Sequence, residues 1–225
     1  MKLFALDSPV MEGFRKLADV IICNVLFVLC SLPIITAGAS LAALYESMQI
    51  LIADTDNGLI FLDFFKAFKK HFKRGSLMWL LVLAAGVVLY LYYRAIGTLG
   101  GGLQKTYTVT FYAILIVAAF VIQYIYPMLV YRRDGIFATV KNAVTLSVVA
   151  LPCTLLSIGL LALSLVLSGM VYYQSGYGII FLWIVCGFGL VCYMNGMLFN
   201  RAMKRLNLEC QNPAIRIPED EEEEE

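Results

Sequence analysis

Charge is scarce in this chain. Charged residues make up 15% of it against 61% that are hydrophobic, and the mean hydropathy is +0.82, which excludes a soluble domain with a water-facing surface. Histidine is nearly absent, with His71 alone. Neither Gly-x-Ser-x-Gly nor His-Glu-x-x-His occurs, so no nucleophile and base are paired in sequence, and the expectation is a non-enzyme without a cofactor. The six cysteines, Cys23, Cys30, Cys153, Cys186, Cys192 and Cys210, lack metal-ligand spacing and read as apolar filler. Cys23 and Cys30 share a helix face but stand two turns apart, beyond disulfide reach. The formal net charge of +1 implies no nucleic acid partner.

What the chain has is long apolar runs. A spanning helix needs roughly 20 apolar residues to cross about 30 Å of hydrocarbon, and four stretches meet this: Leu77 to Ile96, Val109 to Val130, Pro152 to Tyr172 and Gly178 to Leu198. The first apolar stretch, Leu17 to Ala53, would extend about 55 Å as one helix and must break. Pro33 supplies the break, because it lacks a backbone donor and keeps Leu32 out of helical geometry, while Thr36 and Gly38 can open a new helix. The result is a hairpin of two legs, each short for the bilayer, so that two full spans and a re-entrant pair both remain open.

Basic residues set the orientation. Of the 17, only Arg94 and Lys105 fall on one side of a six-span arrangement; the rest flank the hairpin, follow the fourth span or end the chain. The expected architecture is an all-α polytopic transmembrane bundle of about six spans with both termini cytoplasmic, residues 1–210 forming one membrane domain and 211–225 a disordered acidic tail. Cleavage of a signal peptide near Ala37 and Ala39 would leave Ser40 to Ala53 too short to span, and is rejected. The glycine-rich Gly97 to Lys105 lacks the Gly-Lys-[Ser/Thr] junction of a phosphate loop and reads as a turn.

Phe61, Phe64, Phe65, Phe68 and Phe72 recur at helical spacing among Lys66, Lys69, Lys70, Lys73 and Arg74. This predicts an amphipathic interfacial helix, starting near Asp56 or Asp63, that anchors on anionic headgroups or docks a cytoplasmic partner. A second such segment, Asp134 to Val149, presents Ile136, Phe137, Val140 and Val144 on one face. Polar residues at membrane depth are site candidates because an unpaired polar group is costly there. Asp19, Asn24 and Glu46 lie in the hairpin, with Gln123, Asn195 and Asn200 elsewhere. Asp19 can instead pair with Arg15 and Lys16 as an anchor, and Glu46 can instead sit at the surface.

The run from Leu17 to Tyr45 carries Asp19, Asn24, the Ser31-Leu32-Pro33 turn, Thr36, Gly38 and Ala42-Ala43-Leu44-Tyr45. With Phe65 to Phe72 and Lys141-Asn142 before Leu151-Pro152, it resembles the YesL-like bacterial membrane proteins, over nearly the whole chain apart from the acidic tail. That family is known chiefly as a domain of unknown function, and its members are often encoded beside carbohydrate ABC-transporter components and glycan-degrading enzymes. The resemblance implies a bacterial plasma-membrane protein and an accessory or permease-like role in carbohydrate uptake, with ABC-transporter components as partners. It implies no catalytic residues, and Glu46 lies outside its signature. An independent small-solute transporter and a membrane scaffold or signalling protein are the alternative readings.

Overall fold

The computed structural model describes residues 9–55, 58–98, 100–132, 135–175, 182–205 and 210–215. Among them the chain is all helix, in the order α1 (Pro9–Ser31), α2 (Ala37–Ile52), α3 (Ile60–Ile96), α4 (Gly101–Tyr131), α5 (Ile136–Val149), α6 (Leu151–Ser175) and α7 (Phe188–Arg205). Lys2, Asp56, Arg133, Asp134, Gly178 and the acidic run from Glu219 lie outside the described residues.

The break at Pro33 is present. α1 stops at Ser31, a single 3-10 turn covers Ile34–Thr36, and α2 follows at once. The turn satisfies its own hydroxyls: that of Thr36 donates to the carbonyls of Cys30 and Pro33, each at 2.8 Å, and that of Ser31 donates to Phe27 O at 2.6 Å. The tip is oily, with Leu32 74% and Ile34 71% exposed. At the open end of the hairpin Lys16 Nζ reaches Asp54 Oδ2 at 2.9 Å and Glu12 Oε1 at 3.1 Å.

α2 is the central helix, buried on every side from Gly38 to Leu51 apart from Leu41. Its first half is built of Gly38, Ala39, Ser40, Ala42 and Ala43, small residues that let neighbouring backbones come close where apolar solvent gives no driving force for larger ones. α3 exploits this. A Cβ on Gly38 would lie 2.3 Å from Gly75 O and 2.4 Å from Trp79 Cβ, and one on Gly75 would lie 2.9 Å from Ala39 Cα and from Gly38 O.

The Phe-Lys segment and the span after it form one unbroken helix, α3, instead of an interfacial helix followed by a separate span. Nothing between Lys73 and Leu77 breaks it, since Gly75 is spent on the crossing with α2. One face of its first half, Asp63, Phe64, Ala67, His71 and Gly75, is buried against the hairpin, so this half stands against protein. α2 runs antiparallel to it, Gly38 meeting Gly75 and Glu46 meeting Lys70. The hairpin tip is therefore near the level of Gly75 to Trp79, and α3 continues for about 26 Å beyond it.

Five helical stretches among the described residues are long and apolar enough to cross a membrane: Ile34–Ile52, Ile60–Ile96, Gly101–Tyr131, Leu151–Met170 and Trp183–Lys204. The sixth expected span, α1, falls short, because Arg15, Lys16 and Asp19 interrupt its apolar run. The outer parts of α3, α4 and α6 expose leucine, valine and isoleucine along their length, a surface that suits lipid and would aggregate in water. α5 is the second amphipathic segment. Its buried face is Thr139, Ala143, Leu146 and Ser147, Ile136 and Val140 pack partly buried against the core, and Phe137, 86% exposed, and Val144 point outward.

The last helix begins with a π turn over Trp183–Gly187. Such a turn leaves carbonyls without their usual donors, and Asn24 of α1 replaces them: its Nδ2 donates to Trp183 O at 3.1 Å and Ile184 O at 2.6 Å, and its Oδ1 accepts from Gly189 N at 2.6 Å. Gly189 permits the approach, since a Cβ there would come within 3.0 Å of Val20. Residues 210–215 return to the bundle. Asn212 and Ile215 are buried, so residues 211–215, grouped by composition with the tail, are held against the helices by Asn212.

Candidate functional site

Glu46 lies two thirds of the way along α2 and is only 3% exposed. Burying a carboxylate is costly unless partners replace its water, and α3 supplies two adjacent ones. Lys70 Nζ donates to Glu46 Oε1 at 2.7 Å, and His71 Nε2 meets Glu46 Oε2. A carboxylate offers only acceptors, so His71 carries the proton at that nitrogen. Both reach Glu46 because the Gly38–Gly75 crossing brings α2 and α3 close. Lys70 Nζ donates also to Asn212 Oδ1 at 2.8 Å, while Asn212 Nδ2 donates to Val130 O at 3.1 Å and Ala214 N donates to Asn212 Oδ1 at 3.2 Å. The cluster thus joins α2, α3, the end of α4 and the C-terminal segment.

Beside it lies a cavity of about 450 Å³ lined by Lys70, His71, Arg74, Leu129, Val130, Arg132 and Asn212. The lining brings together three cationic side chains, one imidazole and one amide. It can hold an anion, and His71 at its wall hydrogen-bonds the buried Glu46 behind it. No group of three His, Cys, Asp or Glu suited to a metal ion occurs among the described residues. A second cavity, of about 570 Å³ between α3 and α4, is lined by Met78, Leu81, Val117 and other apolar side chains, with Thr110.

The other hairpin candidates do not join Glu46. Asn24 is occupied with the π turn. Asp19 approaches Arg15 Nη1 at 4.0 Å in the charged cluster near the hairpin's open end, where the Asp54 carboxylate beside Lys16 raises that ammonium above its ordinary pKa. Pro33 and Thr36 form the turn, and Gly38 serves the crossing with α3. Of the Phe-Lys residues, Phe64 is fully buried and Phe68 partly so, whereas Phe61, Phe65 and Phe72 are exposed beside the exposed Lys66, Lys69, Lys73 and Arg74.

Gln123, Ser157 and Asn195 are hydrogen-bonded in a row across α4, α6 and α7, and Asn200 Nδ2 donates to Gln49 Oε1 at 2.8 Å. These polar pairs tie helices together. Sequence reasoning missed His71, Asn212 and Arg132 as members of the site; Lys70 and Arg74, read as surface charges, are exposed and also line the cavity. One signal was there to be read: His71 follows Ala67 and precedes Gly75 by one helical turn each, a row of small residues that marks a packed face.

A model of the family described as "Protein of unknown function, DUF624" matches residues 20–93. This part of the chain is similar to that family. The matched stretch carries Asn24, Gly38, Glu46, Lys70, His71, Arg74 and Gly75, and it ends before Arg132 and Asn212. No curated protein matches the chain, and no solved structure does.

Proposed function

We propose that the chain is a non-enzymatic integral protein of a bacterial plasma membrane, with both termini in the cytoplasm, acting as an accessory or permease-like component of carbohydrate uptake. Supporting the orientation, the basic residues concentrate at one end of the bundle, around Lys66 to Arg74, Arg132 and Arg201 to Arg205, where the cytoplasmic leaflet holds them. The observation that carries a partner role is the ridge on the first half of α3, where Phe61, Phe65 and Phe72 are exposed between lysines. An apolar row flanked by positive charge suits a groove on a cytoplasmic subunit such as a transporter ATPase. The carbohydrate context rests on the YesL-like resemblance of Leu17 to Tyr45. Affinity purification from native membranes in mild detergent tests it: ABC-transporter components co-purify with the wild type and are lost with Phe61→Ser/Phe65→Ser/Phe72→Ser. Recovery of no transporter component refutes the association.

A second reading, transport of a small solute by the chain itself, is favoured by the carboxylate of Glu46 buried behind Lys70 and His71 of the cavity wall. In reconstituted liposomes it requires that Glu46→Gln abolish flux, and unchanged flux removes the site.

The hairpin of α1 and α2 is re-entrant on this reading. Its tip carries Leu32, Ile34 and Ile35 uncovered with every hydroxyl satisfied internally, which suits hydrocarbon, and α3 runs well past it. With the six native cysteines replaced, Ile34→Cys stays unreactive toward a membrane-impermeant maleimide from either side. Labelling from the outer side alone would establish two full spans instead.

A further inference from the structure

We propose that the cavity at the basic end of the bundle binds a phosphate-bearing group. Lys70, Arg74 and Arg132 converge on it from α3 and the end of α4, and Glu46 is buried behind Lys70 and His71. Among the described residues the lining carries three cationic side chains and no carboxylate. Arginine presents a planar fork that matches two oxygens of a tetrahedral oxyanion at once. Lys70 has three protons to donate; Glu46 and Asn212 take two of them, which fixes the ammonium and leaves one donor.

The end of α4 would ordinarily oppose an anion, since the last carbonyls of a helix carry partial negative charge. Here the C-terminal segment covers them: Gln211 N donates to Tyr131 O at 3.1 Å and Asn212 Nδ2 to Val130 O at 3.1 Å. The segment that closes the cavity thereby also engages two of those acceptors. At about 450 Å³ the space exceeds the roughly 30 Å³ share of one water many times over, leaving room for the ester that bears the phosphate. It lies where the apolar run of α3 begins and that of α4 ends, the depth at which lipid phosphates sit. A phospholipid headgroup and a soluble phosphate ester therefore share the chemistry the site recognises, and neither depends on a role in carbohydrate uptake.

The test uses the full-length protein. Calorimetric titration in neutral detergent measures inorganic phosphate and glycerol 3-phosphate against chloride at equal ionic strength, and native mass spectrometry from nanodiscs measures retained phosphatidylglycerol. Saturable binding of glycerol 3-phosphate identifies a soluble ester as the ligand, and retained phosphatidylglycerol without it identifies the lipid; either supports the proposal. Arg74→Gln and Arg132→Gln each weaken binding about tenfold or more, whereas Lys141→Gln and Arg201→Gln, which remove the same charge elsewhere on the basic end, leave it unchanged. Should the glutamine variants misfold, Arg74→Lys and Arg132→Lys keep the charge, lose the fork and weaken binding several-fold. Absence of saturable binding to both ligands overturns the proposal, as does binding that the cavity variants leave intact or that the two control variants weaken equally.

Discussion

Replacing Gly38 with alanine adds one methyl group at the tightest point of the structure. The new Cβ would stand 2.3 Å from Gly75 O and 2.4 Å from Trp79 Cβ, about 1 Å inside ordinary contact. One of the obstructing atoms is backbone and the other is the root of a side chain, so neither can rotate away. α2 and α3 must separate, and every contact along the crossing loosens, including the approach of Lys70 and His71 to Glu46. Overpacking of this kind costs about 1–3 kcal/mol, and with backbone as the obstacle the upper half of that range applies. For a chain of this size the midpoint of thermal unfolding in detergent falls by about 5–10 °C. Gly86, with nothing within 4 Å of an added Cβ, is the internal control. Alanine there relieves the helix cost of glycine, about 0.5–1 kcal/mol, and raises the midpoint slightly. Equal midpoints for Gly38→Ala and Gly86→Ala would refute the close crossing.

Three other perturbations separate the parts of the structure. Glu46→Gln removes the counter-charge of Lys70 and destabilises by about 2–3 kcal/mol, at or below the lower end for a broken buried pair because Lys70 keeps some contact with water; unfolding by denaturant titration reads it. Asn24→Ala orphans two carbonyls and one amide at the π turn, costs about 1–3 kcal/mol and shifts the emission of Trp183, which packs on Phe188. Lys16→Met tests the charged end of the hairpin through pH. The Asp54 carboxylate raises the Lys16 pKa above its ordinary 10.5, so the wild type's advantage is full below about pH 10.5 and disappears as the pH rises through the folded-state value. The advantage stays below about 1 kcal/mol because the pair is partly solvated.

Local features made the helices and the hairpin legible. Pro33 inside a run too long for one helix dictates a turn from backbone chemistry alone, and hydropathy marks the outer halves of α3, α4 and α6 without reference to any partner. The site was not legible in that way. Lys70 and Asn212 are 142 positions apart, and nothing at either position announces the other. Lys70 sits in a run of lysines that reads as solvated, and it stays partly exposed while its ammonium meets the buried Glu46 of α2; Asn212 lies close to an acidic run, and composition placed it with that run. α5 divides its apolar face: Ile136 and Val140 pack on the core, whereas Phe137 and Val144 stay exposed, which costs little beside lipid.

The same reversal explains why the polar groups gather where they do. In lipid an apolar contact between helices gains little over an apolar contact with the solvent, so uniqueness of packing must come from elsewhere. Here it comes from small residues at the Gly38–Gly75 and Val20–Gly189 crossings and from polar side chains that find donors or acceptors only in one register: Asn24 with the π turn, Gln123 with Ser157 and Asn195, Gln49 with Asn200, Glu46 with Lys70 and His71. All but the first lie away from the oily tip, toward the basic end. The outer halves of α3 and α4, without such bonds, are held chiefly by aromatic contacts of Phe111 with Tyr92 and Tyr93. The hairpin and the basic end are therefore the register-setting body, and the outer halves of α3 and α4 depend on apolar and aromatic packing among the described residues.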